Sequence, residues 1–340
     1  MLSRRSLLKT AVLAPVIGAF QPPVSTVKPL RLKPGDTVGL ACPAAPAYSR
    51  EQVQVTIESL AALGLKTKLA PHFYDRYGYL AGHDADRAAD LNALFADPTV
   101  HMVMAMHGGW GCARLLPLLD YDLMRRNPKL LIGYSDITAL LLSIYAKTGL
   151  ATLHGPEGAA TWNAYTVDWF RRVLMNGEAV TFQNPAEKSD LLAQTKDRIW
   201  TIQSGTARGQ LVGGNLTVLC HLVGSPYLPD WRGKLLFIED VGEDVYSMDR
   251  MLTHLKLAGI LGQVAGVVFG KCTRCDAGSG GYGSLTLEDV LTEHIGPLNI
   301  PAYAGAMIGH IADKFTIPLG INAELDATKG TIRLLESAVL

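Results

Sequence analysis

The sequence predicts an α/β fold whose N-terminal domain is built on a parallel, Rossmann-like sheet. Short buried-strand patterns alternate with amphipathic helix patterns over the first half of the chain, and this alternation is typical of a parallel sheet with helices on both faces. The length of 340 residues leaves room for a second domain. In such sheets ligands bind beyond the carboxyl ends of the strands, so functional residues are expected there.

The N-terminal domain is predicted at residues 32–165. Apolar runs bounded by turn residues mark its strands, and a 3.6-residue apolar period marks its helices. We expect strands at 36–44, 65–71, 100–111, 129–134 and 150–156, and helices at 50–64, 84–98, 113–119 and 136–149.

A polar, broken stretch at 166–208, with one helical pattern at its start, is expected to connect this domain to a C-terminal domain at 209–340. Alternation resumes in the second block, which indicates a second, smaller α/β domain. We expect strands at 233–240, 264–271 and 301–310, helices at 245–261 and 285–296, and a final hairpin that turns at Lys329-Gly330.

Residues 1–19 have the layout of an export signal peptide. A basic start with paired Arg4 and Arg5 precedes an apolar stretch, and the small Ala19 suits cleavage after it. The order "SRRSLLK" favours the twin-arginine route, which carries folded proteins, over an ordinary secretory signal that contains two arginines. The apolar stretch is too short to stay as a membrane span, so an exported, periplasmic protein is expected.

Charge and cysteine content exclude several classes of function. Lys+Arg and Asp+Glu both number 31, and this balance gives no reason to expect a nucleic acid or an anionic membrane as a partner. The five cysteines are an odd number, which argues against a full disulfide framework. Cys272 and Cys275 have redox or half-zinc spacing but lack a second ligand pair, so we favour incidental cysteines over a disulfide or a metal role.

Ser135 lies between a buried-strand pattern and a helix pattern, in "KLLIGYSDITAL" (129–140). That position suits a helix N-cap. It also suits a nucleophile, because a sharp strand-to-helix turn exposes the hydroxyl and the helix start offers backbone N–H groups to an oxyanion. The second glycine of a G-x-S-x-G elbow is missing, so spacing alone leaves both interpretations open.

The sequence "HGGWG" (107–111) could complete such a site. Its glycines end one strand pattern and precede a helix, so they could form either a tight turn or an oxyanion hole. The turn lacks the spacing and the lysine of nucleotide-binding loops. Two later strand patterns end in Glu239 and His310, which could supply an acid and a base. No metal-ligand motif or cofactor is indicated.

Several segments together resemble the LD-carboxypeptidase family of serine peptidases, which includes muramoyl-tetrapeptide carboxypeptidases and microcin C self-immunity hydrolases. The resemblance runs from about residue 32 to the end. Its most specific pieces are "GYSDITAL" (133–140), "FIED" (237–240) and "MIGH" (307–310). The glycine turn departs from the family pattern R-G-G-Y-G, because His107 and Trp110 replace its Arg and Tyr. The backbone donors need only the glycines, so the departure concerns the shape of the pocket and not catalysis.

The resemblance implies a catalytic triad of Ser135, Glu239 and His310, with Glu243 as the reserve choice for the acid. It implies oxyanion donors at the backbone of Asp136 and of Gly109, an active site in the cleft between the domains, and a homodimer. The implied reaction removes the terminal D-alanine of peptidoglycan tetrapeptides, after diaminopimelate or lysine. The alternatives are hydrolysis of acyl-sulfamoyl adenylates, as in microcin C immunity, and a non-catalytic cell-wall-binding module.

Overall fold

The computed structural model describes residues 25–186, 190–275 and 283–340, so the predicted export signal lies outside the described residues. The strands are β1 (Thr37–Ala41), β2 (Lys66–Leu69), β3 (Met102–Ala105), β4 (Leu130–Gly133), β5 (Leu153–His154), β6 (Thr181–Gln183), β7 (Trp200–Gln203), β8 (Thr206–Asn215), β9 (Leu235–Val241), β10 (Gly266–Thr273), β11 (Ala302–Ala304), β12 (Ile317–Pro318), β13 (Asn322–Asp326) and β14 (Thr331–Leu334).

The α-helices are α1 (Arg50–Ala62), α2 (Asp84–Ala96), α3 (Tyr121–Arg126), α4 (Thr138–Thr148), α5 (Ala164–Phe170), α6 (Leu216–Leu222), α7 (Val245–Leu257) and α8 (Leu287–Ile295). A π-helical turn at Arg171–Met175 continues α5. The segment Cys112–Leu118 forms a 3₁₀ helix and not the expected α-helix, because glycines precede it and Pro117 interrupts its hydrogen bonding. The described residues include no helix that is long and apolar enough to cross a membrane.

The first sheet has six strands in the order β12-β5-β4-β3-β1-β2. Strands β1 to β5 are parallel, and every residue of β3 and β4 is buried because helices cover both faces. This confirms the α/β class and the parallel N-terminal sheet. The sixth strand, β12, comes from the C-terminal part of the chain and pairs antiparallel with β5.

The second sheet has eight strands in the order β6-β14-β13-β8-β9-β10-β11-β7. Its centre, β8 to β11, is parallel, and β13 and β14 form the expected hairpin, in which Asp326 accepts the backbone N–H groups of Thr328 and Lys329. Strands β6 and β7 come from the 166–208 stretch that we expected to be a connection, and they form both edges of this sheet.

The strand expected at 301–310 is much shorter than predicted. Strand β11 ends at Ala304, and the following residues form an irregular loop. Gly305 and Gly309 have φ angles of 97° and 130°, which a β-strand does not accept. The apolar run "AYAGAMIGH" is buried almost throughout, and burial in an irregular loop imitates the pattern of a strand.

Candidate active site

Ser135 lies in a sharp turn between β4 and α4. Tyr134 is extended, Ser135 has φ 60°, and a single 3₁₀ turn, Ser135–Ile137, leads into the helix. The left-handed conformation costs a non-glycine residue about 1–2 kcal/mol. Gly133 permits the turn, since a Cβ there would lie 2.8 Å from Cγ2 of Ile137. Tyr134, and not Ser135, is in the N-cap position, so the cap interpretation is wrong.

The glycine turn packs directly against Ser135. A Cβ on Gly108 would lie 2.8 Å from Cβ and 3.1 Å from Oγ of Ser135. Gly109 has φ 128° and approaches Ala45, whose N–H donates to the Gly108 carbonyl at 3.2 Å. The glycine turn and Ser135 therefore form one wall of the site, although Gly109 and Ser135 are 26 residues apart in the sequence.

The side chain of Asp136 ties these two segments together. Its Oδ2 accepts the backbone N–H of Cys112 at 2.8 Å, and the carboxyl is buried. Burial raises the pKa of Asp136, although the hydrogen bond from Cys112 opposes this effect. The contact fixes the glycine turn relative to the start of α4, where the N–H groups of Asp136 and Gly109 are the expected oxyanion donors.

Glu239 and His310 form a hydrogen-bonded pair. His310 Nδ1 lies 2.8 Å from Oε2 of Glu239, and the glutamate is fully buried near the end of β9. Gly309 makes this approach possible, because a Cβ there would lie 2.9 Å from the same Oε2. The hydroxyl of Thr273 donates to the His310 carbonyl at 3.1 Å and holds the loop against β10.

A buried polar network continues from Glu239 to Glu243. Asn215 Nδ2 donates to Glu239 Oε1 at 3.3 Å and to Asp240 Oδ1 at 2.9 Å. Asp240 Oδ2 accepts both the N–H and the hydroxyl of Thr217, at 2.9 and 2.8 Å. Glu243 lies 3.5 Å from the Thr217 hydroxyl and makes no hydrogen bond to His310. Of the two candidate acids, Glu239 is therefore the one that contacts the histidine.

Two contacts bring the serine and the histidine pair to one place. The ring of Tyr134, the residue before Ser135, lies edge-to-face with the His310 ring at 4.9 Å. Thr138, at the start of α4, accepts the backbone N–H of Asn215 at 3.0 Å, and Asn215 is the residue that contacts Glu239. Ser135 follows β4, Glu239 lies near the end of β9 and His310 lies in the loop after β11, and these contacts place the three residues in one region of the molecule.

Three ionisable side chains are buried beside this constellation. Burial raises the pKa of Glu157 to about 8, opposed by Lys314 and the Gly108 amide. Burial lowers the pKa of Lys314, whose Nζ lies 4.0 Å from the centre of the Tyr134 ring. Burial also lowers the pKa of His154, to about 3, and neighbouring His310 and Lys314 act in the same direction. These groups set the electrostatic environment of the site.

Sequence reasoning missed further residues of this site: Tyr134, His154, Glu157, Asn215, Thr217 and Lys314. Tyr134 and Asn215 could have been found from the sequence, because each stands where a strand pattern gives way to a helix pattern. Lys314 lies in an irregular loop, and no periodicity or spacing distinguishes it from a solvated lysine.

The interpretation of Cys272 and Cys275 as incidental cysteines is wrong. Cys272 and Cys275 form a disulfide, with Cα atoms 5.5 Å apart, whereas Cys42, Cys112 and Cys220 are free and buried. The bridge is local, so an odd total of cysteines could not reveal it. No group of three or more potential metal ligands occurs in the described part of the chain.

Comparison with protein families identifies both halves of the chain. Residues 38–155 match the LD-carboxypeptidase N-terminal domain, and residues 208–325 match the LD-carboxypeptidase C-terminal domain. The chain belongs to the LD-carboxypeptidase family. The suspected family is confirmed, and with it the assignment of the chain as a carboxypeptidase.

Individual relatives extend over nearly the whole chain. The "probable murein peptide carboxypeptidase" of Bacillus subtilis (strain 168) is 36% identical over 312 residues, which cover 89% of this chain and 93% of the relative. The structure of the microcin C7 self-immunity protein MccF matches with a TM-score of 0.83 and 29% identity, over 92% of this chain and 100% of that one. The muramoyltetrapeptide carboxypeptidase of Oxalobacter formigenes matches with a TM-score of 0.73 and 27% identity, over 88% and 97%.

Proposed function

We propose that this LD-carboxypeptidase is a serine hydrolase that releases the terminal D-alanine from murein tetrapeptides. The contact of His310 with Glu239 at 2.8 Å, beside a serine in a strained strand-to-helix turn, is the observation that carries the proposal. The B. subtilis relative, which is named for murein peptides, supports the substrate class. The bond cleaved joins diaminopimelate or lysine to D-alanine.

In the proposed acylation step, Ser135 attacks the carbonyl carbon of the scissile amide. His310 uses Nδ1–H to donate to Glu239, so Nε2 is free to accept the serine proton. The N–H groups of Asp136 and Gly109 hold the oxyanion of the tetrahedral intermediate. His310 then passes the proton to the leaving nitrogen, the C–N bond breaks, and D-alanine departs from an acyl-enzyme.

Deacylation repeats these steps with water as the nucleophile. His310 takes a proton from water, the hydroxide adds to the ester carbonyl, and the proton returns to Ser135 as the C–O bond breaks. Glu239 orients the imidazole and stabilises its cation; it is fully buried, and its second oxygen, Oε1, accepts a hydrogen bond from Asn215. Losing one oxyanion donor typically costs about 10²–10³ in rate.

The proposed setting is the periplasm, reached through the twin-arginine signal at residues 1–19, and the proposed assembly is a homodimer. After cleavage the chain carries 28 basic and 31 acidic side chains. N-terminal sequencing of the exported protein should begin at Phe20. Retention of Arg4 and Arg5 in the mature protein would contradict the export proposal.

The test of function is incubation of the purified protein with L-Ala-γ-D-Glu-meso-diaminopimelyl-D-Ala, followed by mass spectrometry. We expect the tripeptide and free D-alanine from the wild type, and none from Ser135→Ala. Intact tetrapeptide with the folded wild type would contradict the substrate class. Turnover by Ser135→Ala would contradict the mechanism.

A second candidate is hydrolysis of aminoacyl-sulfamoyl adenylates. The structural match to MccF, with a TM-score of 0.83, favours it, and one MccF structure contains aspartyl sulfamoyl adenosine. The same triad could attack that acyl group. Incubation with aspartyl sulfamoyl adenosine distinguishes the two, because we expect turnover of the tetrapeptide only.

A further inference from the structure

A cleft of about 470 Å³ opens between α6 and α7. Thr217 and His221 line it from α6, Glu243 from the loop after β9, and Arg250, Met251 and His254 from α7. The triad proposed above does not include any of these side chains. The cleft is large enough for the end of an amino-acid side chain.

The cleft adjoins the candidate catalytic residues on two sides. Thr217 binds Asp240, the neighbour of Glu239, through its N–H and its hydroxyl. His221 lies close enough to Asp136, the neighbour of Ser135, to act on its carboxyl electrostatically. A substrate that is bound at Ser135 can therefore extend a side chain into the cleft.

The cleft holds charges of both signs, and none of them is neutralised by an ion pair within the described residues. Glu243 contacts only the Thr217 hydroxyl, at 3.5 Å. Arg250 stacks on Tyr246, with 5.6 Å from its guanidinium carbon to the ring centre, and has no carboxylate partner. His221 and His254 are exposed and form no ion pair.

This arrangement complements a group that carries both an ammonium and a carboxylate. A carboxylate can accept the donors of the Arg250 fork, and an ammonium can donate to Glu243. Met251 supplies an apolar surface for a methylene chain that leads to such a group. A lysine side chain ends in an ammonium alone and would leave Arg250 without a partner.

Building on the proposed function, we propose that the α6–α7 cleft binds the zwitterionic end of the diaminopimelate side chain and selects diaminopimelyl over lysyl tetrapeptides. Glu243 binds the ammonium and Arg250 the carboxylate. His221 and His254 also line the cleft, and their ring N–H groups offer further donors to the carboxylate. The residue before the scissile bond is thus recognised by its distal stereocentre, at the far end of its side chain from the bond that breaks.

The experiment compares kcat/KM for three tetrapeptides: one with meso-diaminopimelate, one with its distal carboxylate amidated, and one with lysine. For the wild type we expect a preference of roughly 10- to 100-fold for the free carboxylate over both others, the range for losing one charged hydrogen-bonded partner. Arg250→Met should remove this preference, and Arg126→Met, which changes an exposed arginine on α3, should keep it. Glu243→Gln should slow the diaminopimelate and lysine peptides alike.

The outcomes separate this inference from the proposed function. Equal kcat/KM on all three peptides in the wild type would overturn the inference while the function stands. An unchanged preference in folded Arg250→Met would also overturn it. Failure of the wild type to cleave any of the three would instead contradict the proposed function. The amidated peptide tests the carboxylate without any substitution, so a folding defect in a variant does not block the test.

Discussion

The buried ring of His154 predicts a specific loss of stability in acid. The side chain is 2% exposed, packs edge-to-face against Tyr134 and Phe237, and has no hydrogen-bond partner for either ring nitrogen among the described residues. Burial lowers its pKa from 6.5 to about 3. The folded state therefore keeps the ring neutral over a pH range in which the unfolded chain protonates it.

Proton linkage gives the direction and the size of the change in the free energy of unfolding. Below pH 6.5 the unfolded state binds one more proton at His154 than the folded state does, so the free energy of unfolding falls as the pH falls. At about pH 5 the loss amounts to roughly 2 kcal/mol, since each pKa unit corresponds to about 1.36 kcal/mol. Most of the effect is complete before the folded-state pKa of about 3 is reached.

Urea unfolding of wild type and His154→Phe, each measured near pH 7.5 and near pH 5, tests this. The phenyl ring keeps the aromatic contacts but cannot take a proton, so the variant should lose about 2 kcal/mol less than the wild type between the two pH values. Other titrating groups cancel in the comparison, and any cost of the larger ring is the same at both pH values. Parallel losses in the two proteins would refute the reasoning.

Two further predictions concern the turn at Ser135. In urea, the free energy of unfolding of Ser135→Gly should be about 1 kcal/mol higher than that of Ser135→Ala. Both variants lack the hydroxyl, but only glycine accepts φ 60° without strain. Equal free energies of unfolding would show that the turn is unstrained. Gly108→Ala should reduce kcat on the tetrapeptide by at least about 10²-fold, because the new Cβ would collide with Ser135. The control is Gly262→Ala, whose Cβ meets no atom closer than 4.0 Å and which should retain activity. Wild-type kcat in Gly108→Ala would contradict this packing.

The fold class and the members of the proposed triad were accessible from sequence because they depend on local signals. Buried parallel strands are continuous apolar runs, and chemistry-bearing residues at their ends stand out against that background. Ser135 and Glu239 were visible in this way. His310 was found for a partly wrong reason, since it lies in a buried loop and not at a strand end.

The choice between Glu239 and Glu243 could not be made from spacing. The two residues are four apart, and only the path of the loop from β11 to His310 decides which of them the imidazole meets. The same holds for Lys314, whose burial depends on a loop that packs against a different domain. Long-range contacts of irregular segments leave no periodic trace in the sequence.

Strand β12 has a consequence for the order in which the molecule is made. It pairs with β5 at the edge of the first sheet, yet it lies at residues 317–318, near the end of the chain. While the ribosome is still synthesising the C-terminal domain, the edge of β5 has no neighbour and can pair with other chains. Folding of the first sheet is completed only when the last part of the chain emerges, so truncations near the C-terminus should aggregate through the N-terminal half.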